Sequence, residues 1–176
     1  MAVRRVVTGH TSDGKAIVAS DELIEPITID LAPGTEFLTV WGADEAPTFP
    51  DAGAPSTLAT YFPPLGGFRF GLFTVPPATT VLAADLDLEA TFAQMEARLP
   101  GLAGHMEPEN PGMHTTDTID FELVVSGEVE LELDDGVKVH LKPGDTVVQN
   151  GTRHAWRNKG TDPCRLVVAM LGAKRR

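Results

Sequence analysis

The chain has 176 residues, 42% of them apolar, which is enough for one compact domain with its own core. A formal charge of −11 and a pI near 4.7 argue against nucleic acid or an anionic membrane surface as partners, because the long-range field repels phosphate. The lone cysteine, Cys164, excludes an intramolecular disulfide. The opening "MAVRRVVTGHTSDG" has no apolar stretch of signal-peptide type and no apolar run is long enough to span a bilayer, so a soluble cytoplasmic protein is expected.

Along the chain, residues 1–34 read as an irregular N-terminal extension that packs on the rest or on a dimer partner, and 35–176 as the body. "EPITIDL", "TEFLTVW" and "GGFRFGLFTV" look like strands. Between the last two, "ADEAPTFPDAGAPSTLATYFPPLGG" is long for a loop in a compact domain, so it is either functional or draped over the body. From Asp87 to Leu99 the apolar residues Leu88, Phe92, Met95 and Leu99 recur at helical spacing before "PG", which predicts one amphipathic helix covering a sheet face.

From Phe121 onward the runs "FELVV", "EVELEL", "VKVHL", "TVVQ", "HAWRN" and "CRLVVAML" alternate with turn chemistry, the rhythm of a barrel or sandwich. In "GEVELELDDG", Val129, Leu131 and Leu133 share one face and the glutamates the other. "LVVAML" is apolar on both faces, which predicts a strand covered on both sides by the N-terminal segment or a second subunit.

Chemistry concentrates in "MHTTDTIDFELVVSG" and "PGDTVVQNGTRHAWRN". A straight strand at roughly 3.3 Å per residue would hold His114 and Asp120 about 20 Å apart. "TTDT" tolerates a turn, however, and a fold-back there would bring them together. Period two then places Asp120, Glu122, Val124 and Ser126 on one face, an acid pair among apolar neighbours. His154 follows a Gly-centred turn, and a meander of this length can return it beside His114. Two imidazoles and one carboxylate, His114, His154 and Asp120, suit a mononuclear iron, zinc, manganese or nickel ion. Asp117 belongs to the turn, with an alternative as the metal carboxylate. Glu122, near another acid in a partly apolar setting, has the environment that raises a carboxyl pKa and suits a general acid or base; the alternative is a rim position in solvent.

These two blocks resemble the two motifs of the cupin superfamily, G-x5-H-x-H-x3-4-E-x6-G and G-x5-P-x-G-x2-H-x3-N. His114 matches the first histidine, Thr116 stands where the second belongs, Asp120 replaces the glutamate and Gly127 closes the motif. In the second block Gly144 opens one residue late and Gln149 takes the proline position, while Gly151, His154 and Asn158 are in register. The resemblance implies an all-β double-stranded β-helix (jelly-roll) barrel, commonly a homodimer, with one divalent ion at the cavity end; one short helix accompanies the barrel here.

Substrate contacts are expected from Thr116, Gln149, Trp156 and Arg69, with Arg153 and Arg157 offsetting the acidic charge at the mouth. Gln149 has an equal alternative in supporting its turn, Trp156 in filling the core, and Arg69 in reaching outward to solvent. His10, His105 and His140 are read as surface or structural, and Cys164 as a small hydrophobe. The functional expectation is a metal-dependent enzyme of lyase, dehydratase or decarboxylase type acting on a small carbonyl- or carboxylate-bearing metabolite. The alternatives are a non-catalytic small-ligand binder and a dioxygenase.

Overall fold

The computed structural model describes residues 2–176. In chain order its elements are β1 (Val3–His10), β2 (Ala16–Ile24), β3 (Glu36–Ala43), β4 (Phe68–Val75), α1 (Leu88–Arg98), β5 (Thr118–Ser126), β6 (Val129–Glu132), β7 (Lys138–Leu141), β8 (Thr146–Gln149), β9 (Ala155–Arg157) and β10 (Cys164–Gly172). Every pairing is antiparallel. A five-stranded sheet in the order β3-β4-β10-β5-β8 is joined by a three-stranded sheet, β7-β6-β9, and β1 and β2 form a separate hairpin.

Period-two patterning decides what points inward. On β5, Thr118, Asp120, Glu122 and Val124 are buried while Phe121, Leu123 and Val125 are exposed. On β10, Cys164, Leu166, Val168 and Met170 are buried. Val124, Val129, Leu131, Leu141, Cys164 and Leu166 pack as one apolar cluster contributed by both sheets. A second cluster, built from Ile29, Phe62, Met95, Leu99, Leu102, Val168 and Met170, brings α1 onto the inner face of β10.

Both motif glycines that close turns are sterically required. A Cβ on Gly127 (φ 71°) would lie 2.5 Å from the Pro163 carbonyl oxygen, and one on Gly151 (φ 58°) 3.0 Å from that of Thr116.

Helix α1 starts where its sequence predicts: the Asp87 side chain caps it by accepting from the Ala90 N–H at 3.1 Å. Its apolar stripe is only partly used, since Met95 and Leu99 are buried whereas Leu88 is 66% exposed.

"EPITIDL" is not a strand. Only Ile27 makes a bridge, to Phe37, and the backbone beyond it is held by α1: Arg98 donates to the Thr28 carbonyl at 2.8 Å and the Asp30 N–H donates to Gln94 at 3.3 Å. Once side chains of a helix meet these backbone groups, no neighbouring strand is needed.

The first 34 residues contain more order than an irregular extension. Arg4 pairs with Asp21 and Arg5 with Glu22 across the β1–β2 hairpin, and Arg5 also donates to the Val40 carbonyl at 3.1 Å and stacks over Trp41. This hairpin leaves the outer face of β10 half-buried to exposed within the single chain. Among the described residues, no helix is long and apolar enough to cross a membrane.

Candidate functional site

The ladder first decides which of the polar residues meet. His114 pairs with His154 through reciprocal backbone bonds of 2.9 and 3.0 Å, so their rings lie side by side with centroids 4.2 Å apart. Asp120 pairs instead with Gln149 and Met170, and Glu122 with Val147 and Val168. The imidazoles and the acids therefore occupy different levels of one barrel interior. The chain does not fold back at "TTDT"; Asp117 sits in a bend, exposed and ion-paired with Arg175.

Both imidazoles present the same edge. His114 Nδ1 donates to the Gly112 carbonyl at 3.1 Å and His154 Nδ1 to the Thr152 carbonyl at 2.9 Å, which leaves each Nε2 with its lone pair. Burial holds His154 down at about 4, with neighbouring His114 adding to the effect, and burial likewise lowers His114. Both rings are neutral at neutral pH.

The acids go the other way. Burial raises Asp120 to about 6, and burial together with the Asp120 charge raises Glu122 to about 8. Asp120 Oδ1 and Glu122 Oε2 are buried without a hydrogen-bond partner. The Tyr61 phenol is raised by burial and then by these two acids.

Beside the imidazole pair lies a cavity of about 520 Å³ whose wall includes Phe37, Tyr61, Phe62, Phe73, His114 and Trp156. Trp156 reaches it from β9, where its ring stands edge-on to His154 at 6.0 Å and against Phe73 at 6.0 Å. His154, Asp120 and Glu122 are not part of the lining. His154 touches the cavity through His114 and Trp156, and the acids sense it through Tyr61.

The other expected contacts resolve differently. Arg69, expected to reach substrate, is 2% exposed and acts as a clamp: it donates to the carbonyls of Ala43, Phe68 and Thr60 at 2.9, 2.9 and 2.7 Å and pairs with Asp44. A guanidinium fork ties together both ends of the 44–67 passage more readily than it enters an apolar cavity. Thr116 is 1% exposed and shares a 2.8 Å hydrogen bond with Thr118, so its hydroxyl does not face the cavity. Gln149 is buried beside Asp120 and its amide supports the following turn, donating to the Thr152 carbonyl at 3.1 Å. Arg153 forks onto Glu107 at 2.6 and 2.7 Å, and Arg157 is engaged by Glu132 and the Pro111 carbonyl.

Tyr61 and Phe62 belong to neither motif block. Their signal was an aromatic pair embedded in the long Pro/Gly-rich passage, "TYFPP". His105 is also closer to the site than its lack of partners suggested: its ring meets Phe62 at 4.8 Å and its Nδ1 donates to the Thr115 carbonyl at 3.0 Å.

A divalent ion would find two imidazole donors here in the tautomer that ligating histidines adopt. Among the described residues, however, no three His, Cys, Asp or Glu side chains converge to hold one. The third ligand expected from Asp120 sits at the Gln149 level of the ladder, and the remaining motif position is the sealed Thr116. The donor set as placed falls short of a three-ligand site.

Comparison with known proteins agrees with the motif reading. The family model described as "Cupin domain" matches residues 104–170. The oryzines biosynthesis cluster protein J of Aspergillus oryzae is 32% identical over 148 residues, covering 78% of this chain and 82% of that protein. A cupin-domain-containing oxidoreductase of Neurospora crassa is 33% identical over 99 residues, 53% of this chain and 50% of that protein. Among solved structures, the cupin domain of Schizosaccharomyces pombe Cnp3 superposes with a TM-score of 0.50 at 9% identity, covering 96% of this chain and 87% of that one, a likeness of fold alone. On its fold, its paired motifs and these relatives, the chain belongs to the cupin superfamily.

Proposed function

We propose that this cupin is an enzyme that moves protons on a small carbonyl- or carboxylate-bearing metabolite, in a reaction of lyase, dehydratase or decarboxylase type. The observation that carries the reading is His114, a neutral imidazole on the cavity wall whose Nε2 lone pair is unengaged and whose orientation is locked by Gly112. A base needs that geometry before it needs any particular pKa. Behind the wall, His154 backs His114 directly, and the Asp120–Glu122 pair, which keeps a proton near neutral pH, acts on Tyr61 through its charge rather than touching substrate. Two relatives support an enzymatic role through their names, one a biosynthesis cluster protein and one an oxidoreductase.

The test uses carbonyl probes in deuterated buffer: acetophenone, cyclohexanone and pyruvate, with loss of the proton α to the carbonyl followed by NMR. At least one probe is expected to exchange about 100-fold faster with protein than without, in the range of positioned acid–base catalysis, and His114→Gln is expected to remove that excess. No acceleration of any probe would leave ligand binding without chemistry as the better reading, and full acceleration by His114→Gln would remove His114 as the base.

A second reading, an oxidoreductase with a divalent ion on His114 and His154, is favoured by two adjacent imidazoles whose Nδ1 atoms are both engaged, which leaves both Nε2 atoms as donors, and by the name of the Neurospora crassa relative. It is opposed by the missing third ligand. Metal analysis of protein purified without chelator tests the ion: near-stoichiometric iron, zinc, manganese or nickel, lost in His154→Ala, would favour this reading, and metal-free protein that takes up none on titration would end it.

We further propose a homodimer. Phe70, Ala169, Phe121 and Val148 form one row across the outer face of the five-stranded sheet, with Phe70 at 41%, Phe121 at 46% and Val148 at 55% exposed. A single copy seldom keeps so continuous an apolar face in water, and a two-fold axis lets the same face cover itself. Light scattering is expected to give twice the 18.8 kDa chain mass, and Phe121→Asp is expected to return it to 18.8 kDa. A wild-type mass of one chain would end the dimer reading.

A further inference from the structure

We infer that the cavity selects a neutral, planar, aromatic-sized molecule carrying a hydrogen-bond acceptor, and rejects free carboxylates and phosphates. The inference rests on the site assigned above and narrows its ligand class to the carbonyl-bearing substrates, setting aside the carboxylate-bearing ones, pyruvate and decarboxylation with them. It follows from the charges and shapes of the wall.

Among the described residues, no lysine or arginine lines the cavity, and the ionisable groups that do are Tyr61, Glu107 and His114. Three arginines stand where a counter-charge would be sought, and each is already engaged. Arg69 is locked into the clamp at Ala43, Thr60 and Phe68; Arg153 is forked onto Glu107 and also pairs with Asp134; Arg157 holds Glu132 and the Pro111 carbonyl. An anion entering here would lose its hydration and gain no opposite charge. It would also approach a chain of net charge −11. A neutral acceptor meets no such penalty, since the Tyr61 hydroxyl can donate to it.

The shape argument is independent of charge. Aromatic rings enter the wall from separate elements: Phe37 from β3, Tyr61 and Phe62 from the 44–67 passage, Phe73 from β4, Phe92 from α1 and Trp156 from β9. Edge-to-face contacts fix several of them, Phe37 to Tyr61 at 5.7 Å and Tyr61 to Phe62 at 5.0 Å. Such rings favour flat aromatic surface beyond simple area burial, and about 520 Å³ falls within the range of pockets that bind drug-sized ligands.

The experiment compares three probes by calorimetry near neutral pH: 2-acetylnaphthalene (neutral, aromatic), 2-naphthoate (the anion on the same ring system) and acetylcyclohexane (neutral, not aromatic). The neutral naphthyl ketone is expected to bind at least about tenfold more tightly than either of the others. It is also expected to quench tryptophan emission in Trp41→Phe, where Trp156 is the remaining indole. Trp156→Ala should weaken the ketone about tenfold, and the ring-preserving Trp156→Phe should recover most of that loss and show that the fold is intact. Equal or tighter binding of 2-naphthoate overturns the charge argument, and equal binding of acetylcyclohexane, or no loss in Trp156→Ala, overturns the shape argument. No binding by any probe overturns the inference outright. Because affinity is read here and not turnover, selective binding without α-proton exchange would defeat the proposed chemistry while leaving the ligand class standing, and exchange without selectivity would do the reverse.

Discussion

Between about pH 6.5 and about pH 8.5 the wild-type protein is expected to lose about 2 kcal/mol of folding stability, and Glu122→Gln is expected to abolish most of that slope. The sign follows from Glu122, whose carboxyl is raised to about 8 in the folded chain from 4.5 by burial and by Asp120. In this window the folded state holds a proton that the unfolded state has released, so stability falls as pH rises and the loss is complete once pH passes the folded value. Asp120, raised to about 6, contributes the same sign mainly below this window. His154 has the opposite sign, because its folded value near 4 lies below the ordinary 6.5 and its penalty grows as pH falls through that interval. The two trends oppose each other below about pH 6.5, so the alkaline side is where Glu122 is read cleanly. Urea denaturation at a series of pH values measures the slope. A flat wild-type profile, or an unchanged slope in Glu122→Gln, would show that this carboxyl is ionised in the fold and would remove the proton store behind Tyr61.

Replacing Arg69 by methionine is expected to destabilise the protein by about 3 to 5 kcal/mol, although Arg69 is not part of the cavity wall. The variant leaves the part-exposed Asp44 carboxylate with only the Ala59 N–H as donor and takes the donor from the carbonyls of Ala43, Thr60 and Phe68. Arg69→Lys should not restore the loss, because an ammonium cannot reach this spread of acceptors with the geometry of a fork. The loosened 44–67 passage should be cut early in limited proteolysis. Since that passage carries Tyr61 and Phe62, 2-acetylnaphthalene should bind more weakly too. A variant as stable as wild type that loses only binding of an anionic probe would return Arg69 to the substrate-contact role.

The C-terminal meander was legible because its information is local. Each strand run is short, bounded by glycine-containing turns, and alternates with period two, so Asp120, Glu122, Val124 and Ser126 could be placed on one face without any partner strand; the first three are buried, and Ser126, at the strand end, is exposed. Helix α1 was legible for the same reason, with its cap at Asp87. The N-terminal hairpin was not, because β2 is mostly exposed, β1 is only half-buried, and neither carries a clean apolar alternation to reveal it. "EPITIDL" misled in the other direction, since its strand-like composition is satisfied by the α1 side chains Gln94 and Arg98.

By itself the sequence determined the cupin barrel, the strand rhythm and the pairing of His114 with His154, since the motif spacing and the turn at Gly151 return one histidine to the other. Only the tertiary structure decided which groups reach the cavity. Ladder register set Asp120 level with Gln149 and apart from the imidazoles, the fork of Arg69 turned a presumed ligand contact into a clamp, and the 44–67 passage brought Tyr61 and Phe62 into the wall. Alternation along a strand tells inside from outside, but the height of a side chain within a barrel depends on pairing between distant segments, which no local pattern encodes.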